Sequence, residues 1–181
     1  MDNKSARTKQ KIVIAAARLI IESGIQTLTL EAVAVAAGIS KGGLLYHFPS
    51  KEALIVGMID VFIQQFEHHL TANLADAAET PNAWIRAYVI TSLAAVSGEF
   101  EISAAMMAAV EVNPSLLDPL RERYAVWQSK FDQAVNPPLA RMIRLAVDGW
   151  WITNLLGLAP TSDQDRAALQ STILQLVEEK L

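Results

Sequence analysis

Apolar residues recur at intervals of three and four along most of this chain, which is the spacing of an amphipathic α-helix. In the long segment after Ser50, the residues Ile55, Ile59, Phe62 and Phe66 follow this spacing. The sequence has no Asn-Gly or Asp-Gly pair of the kind that joins two strands, and no long alternating run. The pattern therefore predicts an all-α fold of about nine helices.

Capping residues and prolines predict where these helices begin and end. Thr29, Ser40, Ser50 and either Ser162 or Asp163 are of the type that caps a helix N-terminus, while Gly24 suits a helix C-terminus. Prolines interrupt the remaining helical pattern. The predicted helices run over 5–23, 30–37, 41–47, 51–75, 82–97, 100–112, 115–135, 139–158 and 163–180.

Residues 30–49 show the pattern of a helix-turn-helix. Ala34 is small enough for two helices to cross closely, and Gly38 follows it where the turn needs a positive φ. Ile39 and Leu44 then supply apolar contacts between the two short helices. The first predicted helix is expected to cover the remaining apolar face of this unit.

Composition excludes several classes of protein. Of the 181 residues, 52% are apolar and 19% charged, so the chain is not disordered, and the absence of cysteine excludes disulfide scaffolds and thiolate metal sites. The longest uncharged stretch, 149–162, is too short to span a bilayer, and no secretory signal pattern opens the chain. We therefore expect a cytoplasmic protein without a membrane partner.

The net charge of −4 is unevenly distributed. Residues 1–55 hold seven basic and four acidic side chains, a net +3, whereas residues 56–181 hold eight basic and fifteen acidic ones, a net −7. This split is compatible with an N-terminal part that meets a polyanion, although a simply solvated surface would look the same.

Residues 8–68 resemble the DNA-binding domain of the TetR family of bacterial transcriptional regulators. The resemblance rests mainly on the run from Gly38 to Leu54, GISKGGLLYHFPSKEAL, together with Gly24 and the Thr29 cap. It implies a three-helix DNA-binding domain at 8–68, joined by the long fourth helix to a helical-bundle regulatory and dimerisation domain at 69–181. The implied function is a homodimeric repressor that leaves a palindromic operator when a small apolar or aromatic ligand binds.

The DNA-contacting side chains are expected on and around the second helix of the motif. Lys41 is the cation that can reach a guanine edge, and Gly42 and Gly43 let the backbone approach DNA. The commonest family pattern has a tyrosine where this chain has Leu45, so that tyrosine's phosphate contact is lost here. The alternative is that Tyr46 and His47 pack between helices three and four and that Lys51 is simply solvated. The predicted DNA-contacting residues are Thr29, Ser40, Lys41, Gly42, Gly43, Tyr46, His47 and Lys51.

The C-terminal part supplies two further predicted sites. Aromatic and methionine side chains suit an adaptable ligand pocket, although they are also ordinary core residues. The predicted pocket residues are Phe66, Tyr88, Met106, Trp127 and Phe131.

The apolar faces of the last two helices are expected to pair two copies as a four-helix bundle. The predicted interface residues are Ile143, Val147, Trp150, Trp151, Leu155, Leu169, Ile173, Leu176 and Val177. Asp148 is interpreted as an ion-pair partner of Arg144, four residues earlier, with a role as a counter-charge for a cationic ligand left open.

Other chemistry finds little support. His68 and His69 are adjacent, so on a helix they point about 100° apart and do not converge on one metal ion. No Glu-x-x-His motif, phosphate-binding glycine loop or catalytic triad is apparent. We expect no metal, no cofactor and no enzymatic activity. The alternative to a regulator is a helical dimeric binding module whose helix-turn-helix does not bind DNA.

Overall fold

The computed structural model describes residues 2–75, 82–94, 99–155, 157–158 and 160–181, without the side chains of 2–4, 99–103, 107 and 155. Within these ranges the chain forms nine α-helices and two short 3-10 helices, Ile25–Thr27 and Pro114–Leu117, and no strand. The all-α prediction is confirmed. The helices are α1 (Asp2–Ser23), α2 (Leu30–Ala36), α3 (Lys41–His47), α4 (Lys51–Ala75), α5 (Ala83–Leu93), α6 (Glu99–Val112), α7 (Asp118–Phe131), α8 (Pro137–Leu155) and α9 (Asp163–Lys180).

The predicted N-terminal caps form as expected. The hydroxyl oxygens of Thr29, Ser40, Ser50 and Ser162 each accept a hydrogen bond at 3.1 Å from the backbone N–H three residues later. At α9, the Asp165 carboxylate also accepts from the Ser162 backbone N–H, which completes a capping box. Each cap satisfies a backbone donor that has no partner within the helix.

Proline and asparagine account for one difference from the predicted helix bounds. The segment predicted as one helix over 115–135 is a 3-10 helix followed by α7. The Asn113 side chain accepts from the Ser115 backbone N–H and so holds Pro114 in a tight turn. Pro119 has no N–H to donate, which is tolerated only in a first helical turn, and α7 begins at Asp118. In the same way α8 begins at Pro137, two residues earlier than predicted.

The chain divides into two compact units, each with its own core. The first contains 1–64 and 98–122, and the second contains 65–97 and 123–181. Helix α4 contributes residues to both units. The first unit also includes α6, which packs on α1, whereas the domain boundary near residue 68 predicted from the sequence assigns α6 to the C-terminal part.

Small side chains let α6 lie close to α1. The inward face of α6 consists of alanines that are completely buried, and the buried residues of α1, which packs on α6, are aliphatic residues and alanines. Close approach of two helices requires such small residues at the crossing. The buried alanines of α6 are Ala104, Ala105, Ala108 and Ala109.

Candidate functional site

The turn between α2 and α3 has the geometry that its sequence predicts. Gly38 adopts φ +66°, which a residue with a side chain rarely tolerates. The Ile39 backbone N–H then donates to the Ala34 carbonyl at 3.0 Å and closes the end of α2. Val33 and Leu44 are buried between the helices. The helix-turn-helix is thus confirmed as a structural unit.

Helix α3 presents an uncovered face. Tyr46 is 84% exposed, so the alternative in which it packs between helices is wrong. His47 is half-buried, and its ring meets that of Tyr46 edge-on with centroids 5.2 Å apart. Lys41 and Leu45 are also exposed. The face that would enter a DNA groove is therefore free of contacts with the chain's own core.

The two glycines of α3 have different reasons to be glycine. A Cβ at Gly43 would lie 3.1 Å from the Ser40 hydroxyl oxygen and would crowd the helix cap. A Cβ at Gly42 would meet no heavy atom within 4 Å. The protein itself has room for a side chain at Gly42, so packing does not explain that glycine. Close approach of an external partner to the backbone would explain it.

Thr29 and Ser40 retain a hydrogen-bond donor after capping their helices. Each hydroxyl oxygen accepts a backbone N–H, and both residues are exposed. A hydroxyl group has one donor in addition to its acceptor lone pairs, so the O–H remains available. These side chains can therefore cap a helix and donate to a phosphate oxygen at the same time.

Lys51 has an intramolecular partner that the sequence did not reveal. Its ammonium donates to the Ile25 carbonyl at 2.9 Å in a partly buried setting. This bond ties the start of α4 to the 3-10 helix that precedes α2. The predicted phosphate contact of Lys51 must therefore compete with an internal hydrogen bond. No local pattern signals this contact, because its partners are 26 residues apart.

Glu31 is a second residue that sequence reasoning missed. Its carboxylate lies 3.3 Å from the Lys41 ammonium, and the two side chains are 74% and 59% exposed respectively. Glu31 belongs to α2 and Lys41 to α3, so the folded motif brings together an acid and the predicted base-reading lysine.

Four of the five predicted pocket residues form one aromatic cluster in the second unit. Ring centroids are 4.8 Å apart for Phe66 and Trp127, and 5.1 Å apart for Tyr88 and Phe131. Trp84 stacks on Tyr88 at 5.5 Å. The four predicted residues are buried. Met106 is not among them, because it lies on α6 in the first unit.

A partly buried polar network adjoins this cluster. The Tyr88 hydroxyl donates to Asp148 at 3.0 Å, and Arg144 donates to the other oxygen of that carboxylate at 2.7 Å. The predicted Arg144–Asp148 pair is confirmed. Burial raises the pKa of Asp148, while the Arg144 charge and the Tyr88 hydroxyl oppose this by stabilising the carboxylate. Burial also raises the pKa values of Tyr88 and Tyr124, whose ring lies 6.0 Å from the Arg144 guanidinium carbon.

Two buried donors in this region have no partner among the residues that the structure describes. They are Nε1 of Trp127 and Nε of Arg144. The Tyr124 ring neighbours both, with its centroid 5.0 Å from that of Trp127. Buried polar groups are almost always paired, so unpaired donors indicate a place for an acceptor.

The predicted dimer residues fall into two groups. Ile143, Val147, Ile173 and Val177 are buried in the chain's own core, so they have no surface left to bury against a second copy. This burial corrects their predicted place at an interface. Trp150, Trp151, Leu169 and Leu176 retain accessible surface, and the Leu155 side chain lies outside the described residues. Met142 and Leu145 of α8, which the prediction omitted, are 66% and 56% exposed.

The described residues show little sign of other kinds of site. They contain no helix long and apolar enough to cross a membrane. Nor do they bring together three or more side chains suited to hold a metal ion.

Comparisons with known proteins cover most of the chain. A family model described as the tetracycline-repressor-like C-terminal domain matches residues 82–178, and a model of bacterial regulatory proteins of the tetR family matches residues 12–58. The transcriptional regulator RutR of Escherichia coli K12 is 34% identical over 88 residues, which are 48% of this chain and 41% of RutR. The match thus spans about two fifths of that relative.

Solved structures match over nearly the whole length. A protein from Saccharomonospora viridis in complex with choline aligns with TM-score 0.70 at 18% identity, covering 97% of both chains. The fatty acid degradation regulator FadR of Bacillus halodurans aligns with TM-score 0.69 at 16% identity, covering 96% of this chain and 95% of its own. At such identities the likeness shows the shared fold alone.

Proposed function

Because this chain belongs to the TetR family of bacterial transcriptional regulators, we propose that it is a homodimeric repressor that binds a palindromic operator through α3. The observation that carries the proposal is the uncovered face of α3, where Lys41, Gly42 and Tyr46 are exposed. Recognition helices of helix-turn-helix proteins enter the major groove with such a face.

The exposed groups divide by the chemistry that they offer. The Lys41 ammonium suits a guanine edge, while the hydroxyls of Thr29, Ser40 and Tyr46 suit phosphate oxygens. Gly42 allows the backbone to approach the groove, and His47 offers a further ring nitrogen near Tyr46. Phosphate contacts set the register of the protein on DNA, whereas base contacts select the sequence.

Gel-shift titration with DNA selected from a random duplex library tests this proposal. Lys41→Ala should cost about 1–3 kcal/mol on the selected sequence and relax one base position in each half-site. Lys130→Ala is the matched control, because Lys130 is an exposed lysine of α7 in the other unit. If the wild-type protein enriches no sequence, the alternative of a helical binding module without DNA binding replaces the repressor.

We assign dimerisation to the exposed faces of α8 and α9. Met142 and Leu145 lie three residues apart on α8, and Leu176 of α9 is also exposed. Exposed apolar side chains clustered on one helical face are typical of a surface that another chain covers. Leu145→Glu should give a monomer in sedimentation at micromolar concentration. Val110→Glu, at an exposed valine of α6, should remain a dimer.

We place the effector at the aromatic cluster of the second unit, with Phe66, Tyr88, Trp127 and Phe131 as its apolar surroundings. The unpaired Nε1 of Trp127 and Nε of Arg144 favour a ligand that carries a hydrogen-bond acceptor. The rings pack directly on one another, so the ligand must bind a rearranged conformation. To release DNA it must prefer the state that does not bind the operator, because only differential affinity shifts an equilibrium.

Quenching of tryptophan fluorescence that is lost in Trp127→Phe, together with release of selected DNA, tests the effector site. A panel of benzoate, benzamide and benzyltrimethylammonium presents an anionic acceptor, a neutral acceptor and a cation on the same ring. Benzoate and benzamide should bind and release DNA, and Arg144→Met should weaken them more than it weakens the cation. If only the cation acts, Asp148 is the recognition group and the assignment of Arg144 fails.

A further inference from the structure

The ion pair between Glu31 and Lys41 is unusual in its position. A carboxylate close to DNA repels phosphate groups, yet Glu31 lies beside the predicted base-reading lysine with 74% of its side chain exposed. Stability does not explain the pair, because exposed ion pairs contribute only about 0–1 kcal/mol. The pair does, however, set one acceptor group beside one donor group, 3.3 Å apart.

We propose that Glu31 and Lys41 act together as the reader of one G·C base pair, an inference that rests on the proposed DNA binding. In this arrangement the Lys41 ammonium donates to O6 of guanine, and the Glu31 carboxylate accepts from the N4 amino group of cytosine. Guanine O6 and cytosine N4 are hydrogen-bonded to each other, so they lie about 2.9 Å apart. This separation is close to that of the two charged groups in the protein.

The same pair discriminates against the other three base pairs. The reversed pairs C·G and A·T set an amino group against the Lys41 ammonium and a keto oxygen against the Glu31 carboxylate. A T·A pair keeps the keto and amino groups in the right order. It nevertheless places the thymine methyl group beside the ammonium, and the adenine N7 lone pair beside the carboxylate. The expected order of preference is G·C, then T·A, then the two reversed pairs.

In the free protein, the ion pair holds both side chains in a geometry suited to this contact. Lys41 is a long and flexible side chain, and its immobilisation on DNA costs conformational entropy. Contact with Glu31 reduces that cost in advance. Glu31 is thus a specificity-determining residue whose loss broadens recognition, whereas a residue that only repels phosphate would change the affinity for all sequences equally.

Selection of DNA from a random duplex library by the full-length protein tests the proposal. We expect the wild type to select a sequence with one G·C pair in each half-site that Glu31→Ala no longer requires. Discrimination at that position should fall about tenfold, and the other positions should be unchanged. Glu22→Ala is the matched control, because it also removes an exposed carboxylate, from α1 in the same unit. It should leave every preference intact.

A charge-swapped variant provides a test that does not depend on loss of function. Glu31→Lys combined with Lys41→Glu retains the net charge and exchanges donor and acceptor, so it should prefer C·G at the same position. The proposal is overturned if Glu31→Ala keeps every base preference, or strengthens binding to selected and random DNA by the same factor. Enrichment of no sequence by the wild type would instead overturn DNA recognition itself, and the paired reader with it.

Discussion

Replacing Gly57 of α4 with alanine should destabilise the first unit, because the fold leaves no room for a methyl group at this position. A Cβ at Gly57 would lie 2.2 Å from Cε1 of Phe48 and 3.1 Å from two further atoms of the same ring. Phe48 is only 5% exposed and directly follows α3, so its ring cannot move away without disturbing the core beneath the recognition helix.

The size of the effect follows from two opposing terms. Alanine is better than glycine in a helix interior by about 1 kcal/mol. Overpacking a filled core costs about 1–3 kcal/mol. Gly149→Ala separates these terms, because Gly149 lies inside α8 and a Cβ there meets no heavy atom within 4 Å. We expect Gly149→Ala to be neutral or stabilising, and Gly57→Ala to be less stable than that control by about 1–3 kcal/mol.

Urea unfolding followed by circular dichroism measures the difference, and gel-shift titration should show weaker DNA binding for Gly57→Ala. A second substitution, Phe48→Leu, removes the ring edge and should recover part of the stability in the Gly57→Ala background while costing stability alone. If Gly57→Ala gains as much stability as Gly149→Ala, Phe48 does not pack on Gly57 and the reasoning is refuted.

Three further predictions concern single groups. Lys51→Met should lower the free energy of unfolding by about 1–2 kcal/mol through loss of the hydrogen bond to the Ile25 carbonyl. It should leave the salt dependence of DNA binding unchanged. If the slope of the logarithm of the binding constant against the logarithm of the salt concentration falls by about one in magnitude, the Lys51 ammonium contacts a phosphate instead. The pKa values of Tyr88 and Tyr124 are raised in the folded protein. The contribution of these two tyrosines to stability is therefore complete below pH 10 and is lost at higher pH, where they ionise in the unfolded chain. Absorbance at 295 nm should show the tyrosinates of Tyr88 and Tyr124 only together with unfolding. Gly42→Ala should leave thermal stability equal or higher and weaken DNA binding, whereas unchanged affinity would mean that no partner approaches the Gly42 backbone.

Local chemistry explains why so much of the first unit was predictable. A hydroxyl at Ser40 caps a helix through a contact that spans three residues, and Gly38 satisfies a backbone requirement of a single turn. Such contacts depend on neighbours in the chain, so the sequence contains their whole description. The ends of α2 and α3, the turn between them and the exposure of Lys41 all follow from features of this kind.

Periodicity also predicted that α8 and α9 are amphipathic, but it did not distinguish apolar residues of the chain's own core from apolar residues that remain exposed. Val147 and Leu145 are both apolar and only two residues apart, yet the first is buried and the second is exposed. That distinction depends on which side of α8 meets α5 and α9. The apolar pattern of one helix does not show which other helices pack against it, or on which side.

The helical fold, the helix-turn-helix and the family resemblance of its motif could be predicted from the sequence, because these depend on short-range spacing and on residue types. The partners of the charged and polar side chains became apparent only in the folded chain. Glu31 meets Lys41 across a turn, Lys51 reaches the Ile25 carbonyl, and Tyr88 finds Asp148 sixty residues later. Contacts between distant segments depend on how whole helices pack, and packing is the sum of many apolar contacts that no single stretch of sequence specifies.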